Sequence, residues 1–318
     1  MGCLYTYACH EEEEELCRME RRALFGTGEE GRDGAETAPS LRGKGWFRSA
    51  RRLDPGRSPF LHERMDIQYE AESLEELQKQ VKGLELGGRT FKVMCLDTDN
   101  SWDYTEKRRI ERELGAAIRG RAEMKKPERR YGAALVHGRL FFGPLQQGEA
   151  HWLKHKNKPQ NYSTALTTRM ARAVVNVAVP EPEGVRAVDP CCGIGTVLVE
   201  ALSMGIAIEG FDLNPLAVRG ARANLAHFGF PDVVRLADMR RLTGRYDAAV
   251  VDLPYNLCSV LPPEERQEML QSARRLADRV VLITTEGIEA AVEEAGFTIL
   301  DRCLMKKGSV ERRILLCE

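Results

Sequence analysis

The stretch V-R-A-V-D-P-C-C-G-I-G-T at residues 185–196 constrains the fold of this chain more than any other segment. Apolar residues lead up to Asp189, glycines follow at Gly193 and Gly195, and an apolar helical pattern comes next. Glycine lets backbone approach a ligand closely, and a helix start presents unpaired N–H groups, so this order of elements indicates a nucleotide-type site. A second apolar strand ends at Asp212, roughly 20 residues after Asp189, where an acidic residue commonly binds ribose hydroxyls.

The glycine turn lacks the third glycine of a dinucleotide-binding pattern, since that position is Leu198. The missing glycine disfavours a pyrophosphate and favours a smaller ligand with an amino-acid tail, such as S-adenosylmethionine. Two glycines by themselves are also compatible with a plain strand-to-helix turn. The acids at two consecutive strand ends favour the ligand site.

Length and composition exclude several classes of protein. A chain of 318 residues is expected to form two or three domains, and no apolar run approaches a membrane span. Residues 1–15 lack the features of a signal peptide, so we expect a cytoplasmic protein. The nine cysteines are odd in number and form no C-x-x-C pair, which predicts reduced thiols and no metal site.

Basic residues are unevenly distributed, although the net charge is only −1. Clusters lie at 42–57, 107–130 and 151–158 and suit a polyanion bound on one face. The alternative is a set of solvated helix faces. The residues predicted to bind such a polyanion all lie in the second cluster: Lys107, Arg108, Arg109, Arg112, Arg119, Lys125, Lys126, Arg129 and Arg130.

Patterning divides the chain into four predicted parts. They are an α+β, ferredoxin-like domain at 1–85 with a mobile loop at 27–58, a binding module at 86–150, a polar linker at 151–163, and an α/β domain at 164–318. In the last part apolar strands alternate with helices, which predicts a parallel sheet flanked by helices. The two closing strands have no helix between them and predict an antiparallel edge.

The segment Asp252-Leu253-Pro254-Tyr255-Asn256 follows a very apolar strand and should face the glycine turn, because parallel sheets bind ligands at their carboxyl edge. Its residue types suit methyl transfer to an exocyclic amino nitrogen. The Asp252 carboxylate can accept one N–H, the Leu253 carbonyl a second, and Tyr255 can stack on a flipped base. The alternative is a strand-end turn with a packed tyrosine.

These motifs together resemble those of class I S-adenosylmethionine-dependent methyltransferases, specifically RNA guanine-N2 methyltransferases with a THUMP domain. D-P-C-C-G-I-G-T is similar to the family's D-P-x-C-G-S-G-T, and F-D-L-N-P to its ribose-binding strand end. L-A-D-M-R is similar to its adenine-contacting segment, and D-L-P-Y to its D-P-P-Y. The part at 91–142 resembles a THUMP domain through F-K-V, R-R-I-E-R-E-L-G-A-A-I and Y-G-A-A-L-V-H-G-R-L-F-F-G.

The resemblance implies a Rossmann-like methyltransferase domain with S-adenosylmethionine as cofactor. It assigns the cofactor to Asp189, Pro190, Cys191, Gly193, Gly195, Thr196, Asp212, Leu213, Asn214, Asp238 and Met239. Within that set, Asp189 and the glycines would hold the methionine part, Asp212 the ribose and Asp238 the adenine amino group. The implied catalytic residues are Asp252, Leu253, Pro254 and Tyr255.

The implied activity is methylation of guanosine N2 in tRNA, and THUMP domains are thought to grip the 3′ acceptor end of tRNA. We expect a monomer with tRNA as partner ahead of rRNA. Leu253 stands where the family usually has proline, so D-L-P-Y-N lies between that family and the N-L-P-Y of rRNA adenine-N6 dimethyltransferases. Adenine-N6 or rRNA guanine-N2 methylation therefore stays open, as does a non-catalytic RNA-binding protein, which the intact acids disfavour.

Overall fold

The computed structural model describes residues 2–26, 43–98, 102–162, 164–254, 261–307 and 310–318. The strands are β1 Cys3–Ala8, β2 Lys44–Ser49, β3 Leu61–Asp66, β4 Tyr69–Ala71, β5 Phe91–Cys95, β6 Arg129–Val136, β7 Arg139–Gln147, β8 Arg186–Asp189, β9 Ala207–Asp212, β10 Val234–Leu236, β11 Tyr246–Asp252, β12 Ala277–Thr284, β13 Ile299–Lys307 and β14 Val310–Cys317. The helices are α1 Glu14–Phe25, α2 Leu74–Val81, α3 Tyr104–Ala117, α4 Thr168–Ala178, α5 Thr196–Ser203, α6 Pro215–His227, α7 Pro263–Leu276 and α8 Glu289–Glu294. Within these described ranges, no helix has the length and apolar character needed to cross a membrane.

The chain divides into two compact units. The first contains Met1–Glu11 and Thr27–Glu149, and the second contains Glu12–Gly26 and Ala150–Glu318. This division differs from the predicted boundaries because α1 belongs to the second unit rather than to an N-terminal domain. The buried face of α1 packs against α4 and β13, and the Arg22 guanidinium pairs with the Asp301 carboxylate at 2.8 Å. A long-range contact of this kind leaves no local signal in the sequence.

The first unit is built on one sheet with strand order β2-β1-β3-β7-β6-β5, and β4 also pairs with β7. The long strand β7 connects the halves, pairing with β3 near its end and with β4 and β6 near its start. Because the sheet is continuous through β7, the structure does not separate the predicted domains at 1–85 and 86–150. The THUMP-like assignment of the second part stays a prediction.

The prediction of a mobile loop at 27–58 is wrong for part of this segment. Residues 27–42 lie outside the described part, but 44–49 form strand β2, which pairs antiparallel with β1. The Phe47 ring stacks on the Tyr5 ring with centroids 5.1 Å apart, and both side chains are buried. The polar composition of K-G-W-F-R-S does not predict a strand, and the segment forms one because it pairs with β1.

The second unit has a sheet of order β10-β9-β8-β11-β12-β14-β13. Strands β10, β9, β8, β11 and β12 are parallel, while β14 is antiparallel to both β12 and β13. This arrangement agrees with the predicted parallel sheet and its antiparallel C-terminal edge. The carboxyl ends of the central strands β8, β9 and β11 lie side by side, which brings Asp189, Asp212 and Asp252 to one edge.

The predicted polar linker is packed rather than free. His151–Asn157 form a 3-10 helix whose Trp152 and His155 side chains are buried. The His155 Nδ1 atom lies 2.6 Å from Glu200 Oε1, and the Arg172 Nη1 atom donates to Glu200 Oε2 at 2.9 Å. This buried ionic cluster joins the 3-10 helix to α4 and α5, so the basic segment is partly a packing element.

Candidate functional site

The glycine turn between β8 and α5 adopts a conformation that requires glycine. Gly193 has φ +53° and Gly195, which precedes α5, has φ +76°, both in the left-handed region. A Cβ atom on Gly193 would lie 2.7 Å from the Tyr162 hydroxyl oxygen. The Cys192 N–H donates to the Phe211 carbonyl at 2.8 Å, which holds the turn against β9.

The Asp212 carboxylate is fixed by two backbone donors. Its Oδ2 accepts from the Gly193 N–H at 2.8 Å, and its Oδ1 accepts from the Asn214 N–H at 2.8 Å. Asn214 in turn caps α6 by accepting from the Leu216 N–H at 2.9 Å. Each carboxylate oxygen keeps acceptor capacity, so Asp212 can still receive the hydroxyl groups of a ribose.

A cavity of about 740 Å³ opens at this edge of the sheet, a size that suits a nucleoside-containing ligand. It brings together nearly all of the sequence-predicted site residues: Asp189, Pro190, Cys191, Gly193, Thr196, Asp212, Leu213, Asn214, Asp238, Met239, Asp252, Leu253 and Pro254. Gly195 does not line the cavity and acts instead as the start of α5. Tyr255 lies outside the described residues.

Asp252, at the end of β11, lines the cavity. Its Oδ1 atom is buried and has no hydrogen-bond partner among the described residues. Burial raises the pKa of Asp252 to about 7, and the charge of Arg312 counteracts part of that rise. A buried acceptor without a donor is costly, which indicates a site completed by a ligand's N–H or O–H group.

Two further polar groups support binding in the same cavity. Burial raises the pKa of Asp189 well above its ordinary range, and the neighbouring Asp252 and Asp212 charges raise it further. The Thr196 hydroxyl, at the first residue of α5, is buried without a partner in the described part of the chain. A cationic ligand group near the acids and an anionic group near the helix start would stabilise this arrangement.

Asp238 differs from the other acids of the cavity because its carboxylate is paired with a neighbouring arginine. Its Oδ1 accepts from Arg240 Nε at 3.0 Å and its Oδ2 from Arg240 Nη2 at 2.7 Å. The Arg240 hydrogen bonds hold the pKa of Asp238 below its ordinary value. An adenine amino group would therefore share this carboxylate with Arg240, a cavity-lining residue that the sequence analysis did not identify.

Residues 160–162 and 164–166, here called the strap, were predicted as linker and helix but precede α4. Within the strap, Tyr162, Thr164, Ala165 and Leu166 line the cavity. Asn224 holds the strap, because its side chain bonds both backbone polar groups of Gln160 at 2.9 and 3.0 Å and the Ile194 carbonyl at 2.9 Å. Burial raises the pKa of the strap residue Tyr162 to about 12. No local pattern in the sequence marks Tyr162 as a site residue.

The predicted RNA-binding residues fall into two groups. On α3, Arg108 pairs with Glu111 at 2.7 Å, Arg109 pairs with Glu106 at 2.6 Å and with Glu113 at 2.7 Å, and Lys107 pairs with Asp97. The other predicted residues are exposed and make no ion pair within the described ranges: Arg112, Arg119, Lys125, Lys126, Arg129 and Arg130. The second group therefore carries most of the charge available to a polyanion.

Residues 155–293 match the family UPF0020, described as RMKL-like, methyltransferase domain. The chain is 27% identical over 215 residues to the tRNA (guanine(10)-N2)-dimethyltransferase of Methanothermobacter thermautotrophicus, a match that covers 63% of this chain and 61% of that protein. It is 30% identical over 162 residues to the Pyrococcus abyssi protein of the same name, covering 47% of this chain and 48% of that protein. The chain thus spans about half to three fifths of the length of these relatives.

A longer match extends into the first unit. The chain is 24% identical over 305 residues to the tRNA (guanine(6)-N2)-methyltransferase of Archaeoglobus fulgidus, covering 79% of this chain and 76% of that protein. Among solved structures, TrmN from Thermus thermophilus is similar with a TM-score of 0.50 and 21% identity, covering 99% of both chains. At this identity the likeness concerns the fold alone, and the predicted Rossmann-like fold is confirmed.

Proposed function

We propose that this chain uses S-adenosylmethionine to methylate the exocyclic N2 nitrogen of a guanosine in tRNA. The match of residues 155–293 to the RMKL-like methyltransferase domain supports the proposal. Relatives from three organisms carry names for guanine-N2 methylation of tRNA. The observation that carries the proposal is the buried Oδ1 atom of Asp252, which has no hydrogen-bond partner among the described residues and lies in the cavity that contains the glycine turn.

The cavity residues fit S-adenosylmethionine. The Asp212 carboxylate receives the ribose hydroxyls, while the start of α5 and the Thr196 hydroxyl receive the carboxylate of the methionine part. Burial raises the pKa values of the acids at the ends of β8 and β11. A ligand with net positive charge would favour their ionised forms, so these acids suit such a ligand. The bound cofactor supplies an electrophilic methyl group.

Asp252 suits an amino nitrogen as the methyl acceptor. Its free Oδ1 accepts an N–H of the base amino group, which favours a tetrahedral nitrogen with a localised lone pair, and then takes the proton that the nitrogen loses. A pKa of about 7 lets this carboxylate gain and release a proton near neutral pH. The Leu253 peptide is held by its N–H bond to the Ile283 carbonyl at 2.9 Å, so its own carbonyl can accept the second N–H.

The first unit supports an RNA substrate through its exposed cations. The loop after α3 runs beside β5, with the Phe91 N–H donating to the Arg121 carbonyl at 3.1 Å and the Glu123 N–H to the Phe91 carbonyl at 2.8 Å. These bonds fix a backbone on which Lys125 and Lys126 are exposed. Phosphate contacts from such side chains position RNA without reading its sequence.

The test uses labelled S-adenosylmethionine with unmodified tRNA and, separately, rRNA, followed by mass spectrometry of the nucleosides. We expect N2-methylguanosine from tRNA with the unaltered chain and a loss of at least about 100-fold with Asp252→Asn. Asp247→Asn is the matched control, because Asp247 lies at the opposite end of β11 and accepts from the Arg186 N–H at 2.7 Å. That variant should retain activity.

Other outcomes have definite meanings. N6-methyladenosine as the product would show that the target base is adenine rather than guanine, in line with Leu253 at the position where proline is usual. Methylated product from rRNA but not from tRNA would show that the substrate is rRNA. Failure to bind S-adenosylmethionine in calorimetry would overturn the enzyme proposal and leave an RNA-binding protein.

A further inference from the structure

Arg312 is a buried arginine at the carboxyl edge of the sheet in the second unit, with only 7% of its surface exposed. The strand register places it near Asp252, because Asp252 pairs with Ile283 of β12 and Ile283 pairs with Ile314 of β14. Cross-strand neighbours point to the same face, and so do residues two apart on one strand. Arg312 therefore lies on the face of Asp252, one residue beyond Arg313, where the pairing of β14 with β12 ends.

Arg312 also contacts the strap. Its Nη2 atom donates to the Thr164 carbonyl oxygen at 3.1 Å, and Thr164 and Asp252 line the same cavity. Burying a guanidinium is costly unless acceptors and negative charge compensate it. The carbonyl of the strap supplies an acceptor, and the nearby carboxylate supplies the charge.

Three other titratable groups in the described part of the chain interact electrostatically with Asp252, and they come from β8, the turn after it and the strap. They are Asp189, Cys191 and Tyr162. Burial raises the pKa of all three, which favours their uncharged forms near neutral pH. Asp212, Asp238 and Glu265 also line the cavity, and Asp238 is paired with Arg240 at 2.7 Å. Arg312 supplies the positive charge that counteracts the raised pKa of Asp252.

We propose that Arg312 is a positioning residue of the methyl-transfer site, which holds the strap through Thr164 and keeps the Asp252 carboxylate in its charged form. The role of this carboxylate rests on the proposed function, whereas the electrostatic link between the two side chains does not. A charged Asp252 accepts the N–H of the amino group and attracts a cationic cofactor. A protonated Asp252 accepts the N–H and attracts the cofactor less strongly.

The test follows the titration of Asp252 directly. Carbon-13 NMR of protein labelled at aspartate Cγ, with Asp252→Asn identifying the resonance, gives the midpoint without cofactor or RNA. In Arg312→Gln, which keeps a donor for Thr164 but removes the charge, we expect the midpoint to rise by about one pH unit or more. Arg312→Lys should restore it. Arg313→Gln is the matched control. Arg313 lies next to Arg312 on β14 but pairs with Glu289 of α8 at 3.3 Å, so this variant should leave the midpoint unchanged.

Methylation provides the second readout. In Arg312→Gln the rate near pH 7 should fall by about fivefold and recover at higher pH, because a midpoint about one unit higher lowers the ionised fraction of Asp252 from about one half to about one tenth. An unchanged NMR midpoint in Arg312→Gln would overturn the inference even if the rate fell. Absence of methylation in the unaltered chain, together with a shifted midpoint, would overturn the proposed function and leave the Arg312–Asp252 link standing.

Discussion

The Asp212 carboxylate at the end of β9 accepts a 2.8 Å hydrogen bond from the backbone N–H of Gly193 in the turn after β8. This bond joins the ends of two neighbouring strands and fixes the acid beside the turn that a ligand approaches. The acid and the glycine predicted to hold different parts of one cofactor are thus parts of one hydrogen-bonded unit. A change in either residue should affect the whole cofactor site.

Gly193→Ala should weaken cofactor binding. An alanine at φ +53° costs about 1–3 kcal/mol in backbone strain, and its Cβ would lie 2.7 Å from the Tyr162 hydroxyl oxygen. We expect the affinity for S-adenosylmethionine to fall at least about tenfold by calorimetric titration. Gly205→Ala is the control, because Gly205 has φ +75° but open space around its Cβ position. Equal affinities for the two variants would contradict the assigned role of the turn.

Asp252→Asn should stabilise the protein at alkaline pH. The folded protein raises the pKa of this carboxyl from 3.8 to about 7. A raised acid pKa means that the stability contributed by the protonated form is present below about pH 4 and is lost as pH rises through about 7.

An amide has no such loss, so the gain in the free energy of unfolding should approach about 4 kcal/mol at pH 8 and shrink toward pH 4. Urea denaturation at both pH values measures the difference. A gain independent of pH would show that the carboxyl does not titrate as proposed. Because activity should fall while stability rises, the variant also separates a functional acid from a structural one.

Glu200→Ala should strongly destabilise the second unit. Glu200 is fully buried and accepts from both Arg172 and His155, so its removal leaves a buried guanidinium without its anion. We expect a loss of about 3–5 kcal/mol in the free energy of unfolding. Asp278→Ala is the control, since its pair with Arg245 is exposed and should cost under about 1 kcal/mol. Comparable losses in urea denaturation would contradict this assignment.

The two groups of basic residues should contribute unequally to tRNA binding. A combined change of Lys125, Lys126 and Arg130 to alanine removes exposed cations, whereas Arg109→Ala removes a side chain already paired with Glu106 and Glu113. Each lost phosphate contact should reduce the slope of log affinity against log salt by about 1. Filter binding at several salt concentrations measures that slope. A larger effect from Arg109→Ala would place the RNA surface on α3 instead.

The sequence by itself determined the elements whose signals are local. The order of strand, glycine turn and helix around Gly193, and the proline-started helix Pro215–His227, agree with the structure because capping, glycine conformation and apolar periodicity act over a few residues. The strand ends at Asp189, Asp212 and Asp252 followed from the same patterns. Parallel strands then bring these acids to one edge, so most of the cavity could be inferred.

Tertiary structure alone decided which distant residues complete the site and which charges are available. Tyr162 enters the cavity because Asn224 holds the strap, and Arg312 approaches Asp252 because β14 inserts beside β12. Helix α1 joins the second unit through contacts with β13, far away along the chain. Packing and ion pairing between remote segments depend on the three-dimensional arrangement and leave no periodic signal, which is why neither composition nor motif spacing could reveal them.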